Sequence, residues 1–156
     1  MIVLDLHTFR QSRENGNVTG VTFLKLPGGE FPEQGWSGFP VIVLGWWTQA
    51  FLELEARTRR EVQWRFMEGP YSATLAGIQS ADSIGGFGYQ EVSGALLDSA
   101  ERVIAHCEQH KMYSTDLETL RGNVRKLKAN KTVQRTGASR FAQIEIQTSV
   151  AAGSRR

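Results

Sequence analysis

Ile2, Leu4 and Leu6 alternate with Val3, Asp5 and His7 at the start of the chain, the period-two spacing of a half-buried strand. A polar stretch from Gln11 to Gly16 follows, and Val18 to Leu26 again favours a strand. Asn15, Gly16 and Asn17 tolerate the positive φ of a tight reversal, so these two segments predict a hairpin. Pro27 to Gly38, with Gly28, Gly29, Gly35 and Pro32, reads as a structured loop. Between Phe39 and Arg57 the pattern is mixed: Val41, Ile42 and Val43 favour a strand, while Phe39, Val43, Trp46, Ala50 and Leu54 recur at helical spacing. Length decides for a helix, with Ser37 as its cap and Pro40 in its first turn.

Beyond Arg57, Arg59 and Arg60, Val62, Trp64 and Phe66 alternate with Gln63, Arg65 and Met67, the mark of a strand from Glu61 to Met67. Gly69 and Pro70 predict a turn, and Tyr71 to Ile78 its partner strand. Residues 81 to 88, with Gly85, Gly86 and Gly88, read as a loop leading into a short strand over Phe87 to Val92, and the sheet is expected to be antiparallel throughout. Two helices close the pattern. The first carries Leu96, Leu97, Ala100, Val103, Ile104 and Cys107 on one face behind Ser93 as a cap. The second opens on Thr115, Asp116, Leu117 and Glu118, a capping box, and buries the stripe Leu117, Leu120, Val124 and Leu127. The expected fold is α+β: an antiparallel β-sheet packed against a central helix and two C-terminal helices. It occupies residues 1–130 as one domain. Residues 131–156 are expected to be a basic, partly disordered tail whose one strand-like stretch is Phe141 to Ile146.

Charge sharpens that division. Residues 1–120 hold 9 Lys and Arg against 15 Asp and Glu, a net of −6, whereas residues 121–156 hold 9 Lys and Arg against Glu145 alone, a net of +8. A basic end of this kind is a nucleic-acid arm, a solvated chain end, or a strand of charge lying on the protein's own acidic face. The 156 residues, 40% hydrophobic and 22% charged, suit one globular domain. The single cysteine excludes an intrachain disulfide, the N-terminal stretch lacks the basic n-region of a signal peptide, and the apolar run from Phe39 to Trp47 is too short to span a bilayer. A cytoplasmic protein with no membrane association is the expectation.

Candidate chemistry is sparse. His106 and His110 stand four residues apart on one helix face, but no third ligand and no following glutamate accompany them, so a bound metal is not expected. Cys107 falls on the apolar face, and His7 lies on a strand. No G-x-S-x-G elbow and no phosphate-binding G-x-x-x-x-G-K-[ST] loop occurs. The carboxylate pairs Glu30 and Glu33, or Glu53 and Glu55, lack a geometry that sequence can set. No catalytic residue and no cofactor is assigned. The aromatic residues are more informative: Trp36, Phe39, Trp46, Trp47 and Phe51 crowd one segment, and adjacent tryptophans on a helix point about 100° apart. Most must be core, and one left exposed would be a binding hot spot.

Two motifs carry a resemblance: GEFPEQGWSGFPVIVLGWW from Gly29 to Trp47, and RFMEGPY from Arg65 to Tyr71. They resemble a family of small bacterial proteins with the pattern F-P-x-x-x-W-x-x-F, then L-x-W-W, then F-M-[DE]-G-P-Y. Such proteins look like immunity or accessory proteins of bacterial toxin systems. The resemblance implies a stoichiometric protein-binding module whose partner is a toxin, and the acidic body would steer a basic one toward it. Glu30, Glu33, Trp36, Glu68 and Tyr71 are the expected contact residues. The alternatives are a nucleic-acid-associated protein that uses its basic tail and an enzyme with an unfamiliar site.

Overall fold

The computed structural model describes residues 1–78, 86–134 and 143–151. The predicted N-terminal hairpin is present as β1 (Ile2–Gln11) and β2 (Val18–Leu26), turned through Gly16 at φ 72°. Two short strands, β3 (Gly29–Phe31) and β4 (Ser37–Gly38), pair with the far side of β2, so the expected loop from Pro27 to Gly38 is itself part of a four-stranded sheet. The helix α1 (Pro40–Glu55) follows, then β5 (Glu61–Arg65), β6 (Tyr71–Ile78) and β7 (Phe87–Gly88). The helices α2 (Tyr89–Gln109) and α3 (Thr115–Gln134) precede a last strand, β8 (Gln143–Val150). A second four-stranded sheet runs β5-β6-β8-β7, and every pairing in both sheets is antiparallel. The α+β expectation holds, with the sheet divided in two around α1.

The first sheet contains a repair made by a side chain. The register of β1 on β2 shifts between Asp5 and Arg10. Within that bulge the Thr8 hydroxyl accepts from the Val21 N–H at 2.8 Å and donates to the Asp5 carbonyl at 2.6 Å. One hydroxyl thus stands in for a ladder bond that the extra residues would have broken, which satisfies two backbone groups of a sheet. Next to it, Phe9 is buried, and a Cβ on Gly20 would lie 2.3 Å from the Phe9 ring. Glycine at position 20 lets that ring cross β2 and meet His106 of α2 edge-on, with centroids 5.4 Å apart.

The core is one cluster that joins both sheets to the three helices. Trp47, Phe51 and Leu54 of α1 meet Trp64 and Leu75 of the second sheet, Leu96 and Val103 of α2, and Leu117 and Leu120 of α3. The predicted stripe of α3 is buried throughout: Leu117, Leu120, Val124 and Leu127. Asn123 joins it as a polar member. Its amide donates to the Gly45 carbonyl at 3.1 Å and to the Thr48 hydroxyl at 3.0 Å, which ties α3 to α1. A second polar tie lies at the far end of α1. The buried Glu55 carboxylate accepts from the Tyr89 hydroxyl of α2 and, at 3.0 Å, from the Asn130 amide of α3.

Four local expectations are corrected. Ser37 does not cap α1: it is extended in β4 opposite Val21, and Phe39 holds the cap position without a side-chain bond. The strand expected over Phe87 to Val92 stops at Gly88, because Tyr89, Val92 and Leu96 fall at helical spacing and all three are buried by α2. Ser93 is therefore inside that helix and buried, not its cap. On α3 the cap is Ser114, one residue earlier than Thr115: its hydroxyl accepts from the Leu117 N–H at 3.1 Å. Glu118 instead pairs with Arg121.

The largest correction concerns the tail. The boundary at residue 130 falls within α3, and β8 pairs along the whole of β6, from Gln143 opposite Ile78 to Val150 opposite Tyr71. Ile144 is fully buried in the core. The alternation Ile144, Ile146, Thr148, Val150 puts these four on one face, a period-two row that the polar and basic composition of the segment masks. Of the strand expected over Phe141 to Ile146, residues 141 and 142 lie outside the described residues, as do residues 81–85 of the expected glycine-rich loop.

Candidate binding surface

The site begins with the helical offset of Trp46 and Trp47. Trp47 points inward, fully buried, with its ring stacked on Trp64 at 4.9 Å and its indole N–H donating to the Arg65 carbonyl at 2.9 Å. Trp46, about 100° around the helix, points outward and stays 45% exposed. On β5 Val62 and Trp64 turn in with period two, and just past its end Phe66 turns in against Trp47, with centroids 5.2 Å apart, while Met67 turns out, also 45% exposed.

The β5–β6 turn is shaped by Gly69, at φ 89°, where a Cβ would sit 2.7 Å from the Tyr71 ring. That turn holds Met67, Glu68 and Pro70 at the surface. The end of β8 is fastened to it, since the Ala151 N–H donates to the Pro70 carbonyl at 2.8 Å. Between Trp46 and this hairpin opens a groove of about 610 Å³, lined by Trp46, Arg65, Phe66, Met67, Pro70 and Tyr71 together with Ser72 and Ser149. The two serine hydroxyls are bonded to each other at 3.0 Å. Neither a carboxylate, an imidazole, a thiol nor an amine is among the groove's described lining, so it offers apolar contact and one guanidinium, and no base to activate a nucleophile.

The expected contact residues fall around this end in two groups. Trp36 and Tyr71 meet edge-to-face at 5.1 Å, and Phe31 touches both Tyr71, at 6.0 Å, and Phe66, at 5.8 Å. These rings dock the segment of β3 and β4 onto the hairpin, and both Trp36 and Tyr71 are half-buried by doing so. Glu30, Glu33 and Glu68 are exposed on the two segments so joined, and no ion pair engages them among the described residues. Trp46 and Met67 are the groove residues that the motif reading passed over. Their signal was present: the paired tryptophans require different faces, and Met67 occupies an outward position in the strand alternation.

The other candidates resolve differently. Cys107 is buried, and that burial pushes its thiol up to about 11, so it packs as a small apolar group. His106 and His110 lie with ring centroids 4.3 Å apart, yet no group of three metal-ligating side chains occurs among the described residues. The cations of α3 are partly neutralised by the protein's own acids. Arg121 lies 2.7 Å from Glu108 and 2.6 Å from Glu118, and Lys128 pairs with Glu101. Arg59, Arg60 and Arg65 line a second open groove of about 600 Å³ beyond α1, where Arg59 lies 3.4 Å from Glu53. No helix is long and apolar enough to cross a membrane among the described residues. No family model, no curated protein and no solved structure matches this chain, so the surface is read from its own residues.

Proposed function

We propose that the chain is a non-catalytic protein-binding module, an immunity-like protein that acts in the cytoplasm by stoichiometric capture of a basic protein, a toxin in the reading its motifs suggest. The observation that carries this is the pairing of Trp46 and Met67, two large apolar side chains left uncovered on either side of one groove. Exposed apolar surface rimmed by charge is the usual anatomy of a protein contact, and tryptophan supplies large contact area at small entropic cost. Glu30, Glu33 and Glu68 give the rim its sign, and Trp36 and Tyr71 act by holding the two segments together. The pairing of Arg121 and Lys128 with acids of the same chain weighs against a nucleic-acid role for this basic region.

The test is capture from a nuclease-treated lysate of the native host by the tagged protein, beside Trp46→Ala and Glu68→Lys variants. One stoichiometric basic protein held by the parent is expected. Trp46→Ala should weaken that complex by about 2 kcal/mol or more, the range of an interfacial hot spot. Retention of nucleic-acid-associated proteins alone, unchanged by Trp46→Ala, would sink the proposal.

A further inference from the structure

The outer edge of β1 carries an independent surface. Its partner β2 lies on one side, and no described strand lies on the other. The Lys25 N–H donates to the Met1 carbonyl at 2.7 Å, and Ile2 stands opposite Leu24. Bonded and non-bonded pairs alternate along an antiparallel ladder. Met1, Val3 and Asp5 therefore turn their backbone groups toward β2, Ile2 and Leu4 turn theirs outward, and Leu6 continues the alternation at the edge of the bulge. This flat window ends where the register shifts after Asp5 and where α2 packs on Phe9 through His106.

Strand edges are ordinarily blunted by Lys, Pro or a bulge. Residues 1–9 contain no Lys, Arg or Pro, and the register shift comes only after Asp5, at the last residue of the window. The side chains of Met1, Ile2, Leu4 and Leu6 are only partly buried, at the border of the core. A row of apolar residues therefore runs along an edge whose outward backbone groups meet no strand among the described residues.

We propose that two copies of the chain pair antiparallel through Ile2–Leu6, with the two-fold axis at Leu4. The window is self-complementary in that register. Leu4 faces Leu4 of the second copy, Ile2 faces Leu6, and Val3 faces Asp5, so the one charged residue meets a neutral side chain. The outward backbone groups of Ile2, Leu4 and Leu6 become the bonded pairs of a new ladder, and the apolar rows of the two copies join. Because the strands run in opposite directions, the α2 helix that packs on Phe9 in each copy lies toward the opposite end of the window from that of the other. The contact is isologous, as closed dimers require. Five paired residues per chain make a small interface, at the transient end of the size range, with a dissociation constant on the order of 10–100 µM.

Sedimentation equilibrium tests this, run from about 1 µM to about 500 µM so as to bracket that constant. The average mass should rise with concentration from the 17.4 kDa of one chain toward twice that value. The register is tested by two substitutions at one half-exposed position. Val3→Asp sets a carboxylate opposite Asp5 at two symmetric places and should weaken the dimer roughly tenfold, since like charges facing across strands repel. Val3→Lys sets an opposite charge there and should leave the dimer at least as tight. Circular dichroism verifies that both variants are folded. A mass that stays at one chain throughout, or equal effects of the two substitutions, overturns the proposal. So does a dimer abolished by Trp46→Ala and indifferent to Val3→Asp, which would move the contact to the hairpin groove.

Discussion

The hairpin groove and the α2–α3 ridge both face solvent, and they treat their side chains in opposite ways. On the ridge, cations of α3 meet acids of α2 and of α3 itself: Arg121 with Glu108 and Glu118, Lys128 with Glu101. At the groove, Trp46 and Met67 remain uncovered, and Glu33 and Glu68 have no ion-pair partner among the described residues. A face whose charges satisfy one another gains little from a partner, because any new ion pair must first break an old one. A face with uncovered apolar bulk gains area as soon as it is covered. The difference is the ground on which the proposed binding is set at the groove and not on the ridge.

The sharpest way to break that contrast is to compare neighbouring tryptophans. Trp47→Ala removes a fully buried indole, its stack on Trp64 and its bond to the Arg65 carbonyl. It should cost about 3–5 kcal/mol in urea unfolding, the range for large-to-small changes in a core. Trp46→Ala removes as many atoms from a side chain that is only half buried and should cost clearly less, about 1–2 kcal/mol. A loss at Trp46 comparable with that at Trp47 would mean that the groove is core, and the contrast would fail.

Acid gives a middle-sized test, at the seam where α2 meets β1. Burial first, then His110, His7 and Arg10, hold the His106 imidazole below its ordinary value of 6.5. The His106 ring also meets the Phe9 ring edge-on. Since the unfolded chain takes up a proton at a higher pH than the folded one, stability rises with pH through this window. It should be full above about pH 7 and fall as the pH drops below 6.5, levelling off once the folded imidazole is itself protonated. Urea midpoints measured from about pH 8 to about pH 5 check this, and His106→Gln should flatten the dependence. A midpoint that rises on acidification would reverse the sign and refute the assignment.

What the sequence made legible follows from how local each signal is. Strands with clean alternation, Tyr71 to Ile78 and the expected Glu61 to Met67, which ends two residues earlier at Arg65, and the stripe of α3 could be read because each repeats its period several times. The Trp46 and Trp47 pair announced two faces, although only packing decides which is covered. Less was legible wherever distant residues set the outcome. The Thr8 hydroxyl enters the ladder only because β1 bulges there, and Glu55 is buried only because Tyr89 and Asn130 arrive from two other helices. β8 was half legible: its first residues fall in the stretch Phe141 to Ile146 that reads as a strand, but the basic composition around it set the rest in a disordered tail, although Ile144, Ile146, Thr148 and Val150 share one period-two face. Burial acts on faces, so a local period says more than the average composition around it.

The smallest expected effect sharpens the contrast from the ridge side. Lys128 and Glu101 are partly exposed, at 59% and 45%, so water screens their attraction and ordering two long side chains offsets what remains. Lys128→Ala should therefore change stability by less than about 0.5–1 kcal/mol, and the difference should shrink further as salt is raised. Arg121 differs, because it serves Glu108 and Glu118 together, so Arg121→Ala should cost more than Lys128→Ala in the same urea titration. If both changes prove neutral and neither depends on salt, the ridge pairs are incidental and its cations are free for an anionic partner. If Arg121 alone is costly and its effect is screened, the ridge is held by its own charges, and the groove remains the face that a partner completes.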